Sequence, residues 1–308
     1  MNYYVGVDGG GTKTEFVLTD ESGTVLKRLL KSGCNPNDIG VDDSARVILN
    51  GLHEIANAYE KENVYVFAGV SGAGVGENAT KIREKLSRDY PNVEVKNDLV
   101  IAVESCLNGK EGVAVICGTG ISCCLYKNGE YTTIGGYGYL FEDGGSGYAY
   151  GRDAVKAAIK YEDGYGEQTV LLSYLQSRFQ KSVRASLGAL LLGGKSVVAS
   201  LCPLVFDGAA AGDKVCQEII EYNLQCTVSL IKSTVALYND PSCMIGFIGG
   251  LSRESAYREK MQAEFGDKHL LCYGTQKPVY GAVRKAVALA NKIVDEHFEN
   301  NYATTINR

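Results

Sequence analysis

The residues near the start of the chain that are best suited to chemistry are three consecutive glycines followed by Thr12, Lys13 and Thr14. Glycine has no Cβ, so backbone N–H groups in such a run can approach phosphate oxygens closely. The Lys13 ammonium and the two threonine hydroxyls can add contacts to the same oxygens. The stretch Gly9 to Thr14 therefore predicts a phosphate-binding turn.

The elements around this turn exclude the two commonest phosphate loops. A Walker A loop requires G-x-x-x-x-G-K-[ST], but here the lysine directly follows Thr12. A dinucleotide-binding loop would open a helix, whereas the next residues are β-rich, turn at Ser22-Gly23 and become extended again. The glycines are predicted to lie in a turn between two strands.

The same order of parts returns in the second half of the chain. The sequence "GVAVICGTGISCCLYKNGEYTTIGG" predicts a strand, a glycine turn, a second strand, a hairpin turn at Asn128-Gly129 and a third strand. The two glycine turns lie roughly 109 residues apart. This pattern indicates duplicated domains, and two such turns could hold a polyphosphate from both sides.

The remaining pattern is that of a mixed α/β protein. In the first half, a helix is expected at residues 44–61, a buried strand in "VYVFAGV", a strand ending at Asp98 and a helix in "LVIAVESCL". In the second half, a short strand is expected before Gly249-Gly250, and helices at residues 153–159, 168–179, 212–238 and 281–298.

Composition narrows the function classes. The chain has 308 residues, 45% of them hydrophobic, and a net charge of -5, which disfavours nucleic-acid binding. The sequence has neither a signal-peptide pattern nor an apolar stretch long enough to cross a membrane. The ten cysteines contain no C-x-x-C pair, so we expect buried free thiols, no zinc site and a cytoplasmic protein.

Several motifs, in their order, resemble the N-acetylglucosamine kinase and activator-ATPase family, within the superfamily of actin, hexokinase and the heat-shock chaperone ATPases. They are DGGGTKT, SGCNPNDIG, AGVSGAG, Asn97-Asp98, GTG at 118–120, GGYG at 135–138, EDGGSGY and IGGLS. The resemblance implies an α/β fold of two ribonuclease H-like (actin-like ATPase) domains hinged around an ATP cleft, at residues 1–111 and 112–283. A C-terminal helix at 284–300 can complete the first domain.

The resemblance also implies an ATP-dependent amino-sugar kinase that uses Mg²⁺, phosphorylates a sugar at its 6-hydroxyl and often forms a homodimer. Asp98 would be the base that accepts the sugar proton, and Asp8 would hold Mg²⁺ through water. Asp98 could instead cap a helix, and Asp8 could be a turn residue. The residues expected to bind ATP are Gly10, Gly11, Thr12, Lys13, Thr14, Gly118, Thr119, Gly120, Gly249 and Gly250. Gly249 and Gly250 could instead serve only a tight strand-to-helix connection.

The expected sugar-binding residues are Asn35, Asn37, Asn97, Asp98, Ser122, Gly136, Tyr137 and Asp143. Carboxylates and amides match sugar hydroxyls because each offers two hydrogen-bonding atoms. Asn35 and Asn37 also suit a plain turn, Tyr137 could be a core aromatic and Asp143 could cap a helix.

The chain departs from the family at Ile121-Ser122, Tyr137 and Gly144, where many members have Ser-Asn, Trp and Glu. The smaller Ser122 and Gly144 suggest room for a bulkier sugar such as N-acetylmuramic acid.

Two other functions remain open at this stage. An activator ATPase of a radical dehydratase would share an iron–sulfur cluster across a dimer, but Cys123 and Cys124 fall in one predicted strand and should face opposite ways. A non-catalytic sugar sensor would normally carry an added DNA-binding helix-turn-helix, whereas this sequence begins directly with the first predicted strand.

Overall fold

The computed structural model describes residues 1–240, 243–274 and 276–307. Contacts divide the chain into two compact units, Met1–Lys110 with Gly274–Arg308, and Glu111–Tyr273. The expected second domain ran to residue 283, but the chain returns to the first unit after residue 273. The reason is that the helix Pro278–Leu289 packs on the first strand and on the helix Asp98–Leu107.

The first unit is built on a five-stranded mixed sheet. Its strands run in the order β3-β2-β1-β4-β5, with β2 antiparallel to both neighbours and β4 parallel to both of its neighbours. The elements are β1 (Tyr3–Gly9), β2 (Lys13–Thr19), β3 (Val25–Ser32), α1 (Pro36–Ile39), α2 (Val41–Ile55), β4 (Val64–Val70), α3 (Asn78–Leu86), β5 (Asn92–Asn97) and α4 (Asp98–Leu107).

Helices cover both faces of this sheet. Val5 and Val7 point into a core shared with α2 and α3. Gly6 lies on the opposite face, where an added Cβ would be 2.6 Å from the backbone nitrogen of Val283 on the helix Pro278–Leu289. Glycine on this face therefore lets that helix lie directly against the backbone of β1.

The second unit repeats the arrangement with a larger helical portion. Its sheet has the order β10-β9-β6-β7-β8, and β6, β7 and β8 form the same antiparallel series as β1, β2 and β3. The elements are β6 (Gly112–Cys117), β7 (Ile121–Lys127), β8 (Glu130–Gly135), α5 (Gly147–Glu162), α6 (Leu171–Phe179), α7 (Val183–Leu192), α8 (Gly194–Ala199), α9 (Cys202–Ala210), α10 (Lys214–Tyr238), β9 (Met244–Ile248), α11 (Ser255–Phe265) and β10 (Leu271–Tyr273).

The predicted duplication is thus present in the strand order of both sheets. In each unit the third strand along the chain lies at one edge, and the fourth pairs in parallel with the first. The glycine turns at residues 10–12 and 118–120 join the first two strands of their units. The prediction of two related α/β units is confirmed.

Two helix predictions had the wrong bounds, and three helices were not predicted. The last predicted helix, 281–298, is two helices, α12 (Pro278–Leu289) and α13 (Glu296–Thr305), because Asn291 adopts a left-handed φ of 55° and Asp295 caps a new helix. The helix expected at 44–61 is α2, which begins at Val41 and ends at Ile55. The helices α7, α8 and α9 were not predicted. None of the helices in the described residues is long and apolar enough to span a membrane.

Candidate functional site

The first glycine turn is held in place by backbone hydrogen bonds. The Gly10 N–H donates to the Lys13 carbonyl at 2.9 Å, and the Cys34 N–H donates to the Gly10 carbonyl at 2.9 Å. Gly11, Thr12 and Lys13 are exposed, so their backbone N–H groups and the Lys13 ammonium are accessible to a ligand. The turn has the exposure that a phosphate site requires.

Gly33 supports this turn and was not identified from the sequence. A Cβ on Gly33 would overlap the carbonyl group of Gly11 and lie 3.0 Å from the nitrogen of Thr12. Only glycine allows the segment after β3 to pass this close to the turn. The sequence signal is a glycine among other turn formers, which does not reveal what it packs against.

Thr14 does not contribute its hydroxyl to the turn. Its side chain is buried, and its Oγ1 donates a hydrogen bond of 2.7 Å to the Ser32 carbonyl. The expected contact between this hydroxyl and phosphate is therefore wrong, because β2 uses it to bond the neighbouring strand. Thr12 remains exposed and available.

Asp8 and Asp98 lie at the ends of two strands that flank β4. Asp8 is in β1, and Asp98 begins α4 directly after β5. The helix is capped by Asn97, whose Oδ1 accepts from the Leu99 N–H at 2.9 Å. Asn97 is thus the capping residue, although the Asp98 carboxylate also accepts hydrogen bonds from the backbone N–H groups of Leu99 and of Asp98 itself.

Both carboxylates have perturbed pKa values. Burial, followed by the charges of Asp98 and Glu15, raises the pKa of Asp8 to about 6, although Lys13 and Lys277 oppose the shift. Burial also raises the pKa of Asp98. Burial makes the negatively charged form of each carboxylate unfavourable, so the binding of a cation or a proton to the pair is favoured.

Ser71 holds Asp98 and was also not predicted. A hydrogen bond from its side chain lowers the pKa of Asp98 and partly offsets the effect of burial. The Ser71 N–H donates to the Gly9 carbonyl at 2.7 Å. Ser71 directly follows β4, next to the end of β5, because Val70 pairs with Asn97 in the sheet.

The carboxylate pair fits a magnesium ion that shares its coordination shell with water and phosphate. Mg²⁺ is commonly held by one or two carboxylates together with waters and substrate oxygens. Asp8 supplies a partly buried carboxylate beside a second one at Asp98. In the described residues, the structure contains no group of three or more His, Cys, Asp or Glu side chains that could hold a metal ion by itself.

Asn35, Asn37 and Asn97 lie near one another around the loop after β4. Asn35 Oδ1 accepts from the Asn37 N–H at 2.9 Å and thereby caps α1, which agrees with the turn interpretation of Asn35. Asn37 Oδ1 accepts from Asn78 Nδ2 at 3.2 Å. Asn97 Nδ2 lies 3.2 Å from the position of a Cβ on Gly74. The three side-chain amides therefore lie around one loop, and one of them, Asn97, directly precedes Asp98.

The second glycine turn is held by the start of α5. The N–H groups of Gly147 and Tyr148 donate to the carbonyls of Gly118 and Thr119 at 2.8 Å and 3.0 Å. Thr119 and Gly120 are exposed and Gly118 is partly exposed. The first turn is held in a similar way, because the Gly10 carbonyl accepts a hydrogen bond from Cys34 in the segment that follows β3.

Gly249 and Gly250 lie beside this turn. A Cβ on Gly249, which has a φ of 123°, would overlap the Cys117 carbonyl group, whereas a Cβ on Gly250 would meet nothing within 4 Å. Gly249 is therefore required by the strand-to-helix connection itself. Gly250 is exposed and leaves room for a ligand.

The segment 135–144 contains the other predicted sugar residues. Gly136 covers Ser122, since an added Cβ would be 3.0 Å from the Ser122 Cβ. Tyr137 is 84% exposed, so the core-aromatic interpretation is wrong. Asp143 is exposed and does not cap α5, because Ser146 accepts from the Ala149 N–H.

The extra room expected at Gly144 is not present. A Cβ on Gly144 would be 2.9 Å from the Cys226 sulfur and 3.0 Å from Asn223 Oδ1. Asn223 Oδ1 also accepts from the Gly145 N–H at 2.8 Å. Side chains of α10 therefore fill the volume that a larger residue at 144 would occupy, and Gly144 gives no space for a bulkier sugar.

Two α/β units with the same strand order, each with a glycine turn between its first two strands, define an actin-like ATPase fold. The chain belongs to the BadF/BadG/BcrA/BcrD ATPase family, which matches residues 5–286.

Two relatives agree with this assignment, and a solved structure agrees with the fold. The chain is 30% identical to an N-acetyl-D-glucosamine kinase of Dictyostelium discoideum over 251 residues, 75% of this chain and 79% of the relative. It is 31% identical to an N-acetylmuramic acid/N-acetylglucosamine kinase of Clostridium acetobutylicum, over 72% of this chain and 75% of the relative. The fold matches a candidate N-acetylglucosamine kinase from Chromobacterium violaceum with a TM-score of 0.74 and 23% identity, over 92% and 98% of the two chains.

Proposed function

We propose that this chain transfers the γ-phosphate of ATP to a hydroxyl of an amino sugar, with Asp98 as the general base. The chain is an ATP-dependent sugar kinase, as its family and its relatives of about 30% identity over most of its length indicate. Relatives of known name act on N-acetylglucosamine or N-acetylmuramic acid. The acceptor is accordingly proposed to be one of these two sugars, phosphorylated at the 6-hydroxyl.

The observation that supports the role of Asp98 is a partly buried carboxylate directly after β5, in a helix whose N-cap is the neighbouring Asn97. Its pKa is raised by burial, and Ser71 holds it by a hydrogen bond. A base of raised pKa accepts a proton more readily, and a fixed orientation favours in-line attack. The carboxylate takes the hydroxyl proton as the sugar oxygen bonds to the γ-phosphorus and the bond to the β-phosphate oxygen breaks. ADP then leaves.

The phosphates are proposed to bind at the two glycine turns. The exposed backbone of Gly11 and Thr12, next to Gly10 and with the Lys13 ammonium, suits phosphate oxygens. Gly118, Thr119 and Gly120 offer a second exposed turn, and Gly250 leaves space for adenosine. Bound Mg²⁺, held through Asp8, would offset the negative charge of the phosphates.

The sugar hydroxyls are proposed to contact the amides around the end of β5. The amides of Asn35 and Asn37 lie against Gly72, and Asn97, which directly precedes Asp98, lies against Gly74 of the same loop. Side-chain amides offer a donor and an acceptor on one group, which matches adjacent hydroxyls. Cys123 and Cys124, the adjacent pair considered for a shared cluster in the activator-ATPase alternative, are successive residues of β7 and both are buried.

The test is the variant Asp98→Asn, which keeps the size of the side chain and removes the base. We expect turnover to fall by about two orders of magnitude or more, the usual contribution of a general base, while the Kd for ATP changes little. Asp267→Asn, at an exposed carboxylate, is the matched control. Turnover of Asp98→Asn close to that of the control would exclude Asp98 as the base.

A further inference from the structure

A pocket of about 250 Å³ lies in the second unit where α5, α7 and α8 meet the segment 135–144. Its walls are aliphatic side chains and two tyrosine rings, and its charged side chains are three cations. The lining residues that carry the argument are Arg152, Lys156, Lys195, Leu187, Leu191 and Tyr148. Within the described part of the chain no carboxylate lines this pocket, and none of its residues belongs to the predicted ATP or sugar sites.

The positive charge of the pocket exceeds what its neighbours neutralise. Arg152 is held by Asp153, whose carboxylate accepts from Nε at 2.9 Å and from Nη2 at 3.2 Å. The same carboxylate lies 3.9 Å from Lys156 Nζ, so one negative charge serves two cations. Lys195 is exposed and forms no ion pair in the described part of the chain. An anion in the pocket would therefore meet positive charge that is not yet compensated.

A neighbouring groove does not have this excess of positive charge. It has a volume of about 590 Å³ and shares Arg152 and Lys156 with the pocket, but it is also lined by Asp153, Glu167 and Glu218. An anion would be repelled by these carboxylates as much as it is attracted by the cations. The pocket between α5, α7 and α8 is therefore the better anion site.

The apolar wall of the pocket is open to solvent on α7. Leu191 is 80% exposed and Leu187 is 37% exposed. Exposed single apolar residues are common, but here two of them line one concavity together with Val155 and Val198. A bound apolar tail would remove this surface from water, and each methylene that it buries raises the affinity about fourfold.

Two tyrosine rings form the part of the wall beside the second glycine turn. The ring centroids of Tyr139 and Tyr148 are 4.7 Å apart. The Tyr148 N–H donates to the Thr119 carbonyl, which fixes the start of α5 against the turn. A molecule in the pocket would thus lie next to the turn that is proposed to bind phosphate, but would not occupy it.

We infer that this pocket binds a small amphiphilic anion, which has a carboxylate or phosphate group on an unbranched apolar tail. The head group pairs with Lys156 and Lys195, and the tail packs on the leucines of α7 and on the tyrosine rings. The site is separate from the proposed kinase reaction, so its test requires neither ATP nor a sugar.

Octanoate is the probe, and its binding to the full chain is measured by calorimetry beside octanol, hexanoate and octyl phosphate. Octanoate should bind about tenfold more tightly than octanol, which has the same tail without the charge. Hexanoate is two methylenes shorter and should bind about 15-fold more weakly than octanoate. The tighter ligand of octanoate and octyl phosphate identifies the preferred head group.

The variant Lys156→Gln/Lys195→Gln tests the cations. It should weaken octanoate binding about tenfold and leave octanol binding unchanged, because it removes charge and keeps the apolar wall. Lys181→Gln/Lys268→Gln removes two exposed charges of the same unit outside the lining and is the matched control. The control should bind both probes as wild type does.

The variant Leu191→Ser tests the apolar wall. It should weaken octanoate and octanol binding alike, by about fivefold, because part of the surface that covers the tail is lost. Leu192→Ser is the control, since Leu192 is 92% exposed and lies outside the lining. Both leucines are exposed, so the unfolding midpoints of the two variants should stay close to that of wild type.

The inference would be overturned by octanoate binding that is undetectable, that is no tighter than octanol binding, or that is equal in wild type and the double variant Lys156→Gln/Lys195→Gln. Each of these results would leave the kinase assignment standing. Octanoate binding with the expected pattern, in a chain that does not turn over MgATP and an amino sugar, would support the pocket and exclude the kinase function.

Discussion

Replacing Asp8 by Asn should stabilise the protein while removing a residue that the proposed reaction needs. Burial and two neighbouring carboxylates raise the pKa of Asp8 from 3.8 to about 6. Each pKa unit corresponds to about 1.4 kcal/mol, so the ionised carboxylate costs the fold about 3 kcal/mol at a pH well above 6. Asn has no charge to desolvate and should recover most of that free energy.

The direction of the Asp8 pKa shift determines how the stabilisation by Asp8→Asn depends on pH. Because the folded state holds the Asp8 proton more tightly than the unfolded state, the cost is absent below pH 3.8, grows as the pH rises and is complete above about pH 6. The difference in free energy of unfolding between Asp8→Asn and wild type should therefore be about 3 kcal/mol at pH 8 and close to zero at pH 4.

The assay is urea unfolding of both chains at several pH values, with a chelator present so that no metal is bound. Glu62→Gln, at an exposed carboxylate of the same unit, is the control and should differ little from wild type. Added Mg²⁺ should stabilise wild type more than Asp8→Asn. A variant that is no more stable than wild type at pH 8, or a difference that does not change with pH, would refute the reasoning.

Two further variants test residues that the sequence did not reveal. Gly33→Ala should weaken ATP binding by about tenfold, because its Cβ would displace the carbonyl of Gly11. Gly188→Ala, where a Cβ meets nothing within 4 Å, is the control and should bind ATP as wild type does. Equal ATP affinity in both variants would contradict the role of Gly33 in supporting the glycine turn. Ser71→Ala removes a hydrogen bond that lowers the pKa of Asp98, so the acid limb of the pH profile of kcat/KM should move to higher pH. An acid limb at the same pH as in wild type would exclude a role of Ser71 in setting the pKa of Asp98.

The sequence predicted the part of the fold that depends on local patterns. The hairpin after the first glycine turn, its repetition after Gly112, and the family were all confirmed. These features depend on alternation, turn residues and short motifs, which are readable along the chain. The strand order of the two sheets then agrees with the predicted duplication.

Errors arose where one local signal outweighed another. In the last predicted helix, apolar spacing continued through Ile293, but Asn291 favours a left-handed ending and Asp295 favours a new start. Ile293 is 91% exposed. The sequence contained these helix-end signals, but the prediction followed the apolar periodicity instead.

The site could be predicted only in part, because some of its residues act through the backbone of distant segments. Asp8, Asp98 and the glycines were found from their types and motifs, and their roles stay predictions. Gly33 and Ser71 were missed because what they support is set by strand pairing.

The central proposal is that Asp98 is the general base for phosphate transfer from ATP to an amino sugar. It is tested most directly by incubating wild type and Asp98→Asn with MgATP and N-acetylglucosamine and measuring the sugar phosphate by mass spectrometry. Wild type should form a singly phosphorylated sugar in step with ADP, and Asp98→Asn should form almost none while still binding ATP. Equal product from both chains, or ADP from wild type without any phosphorylated sugar, would contradict the claim.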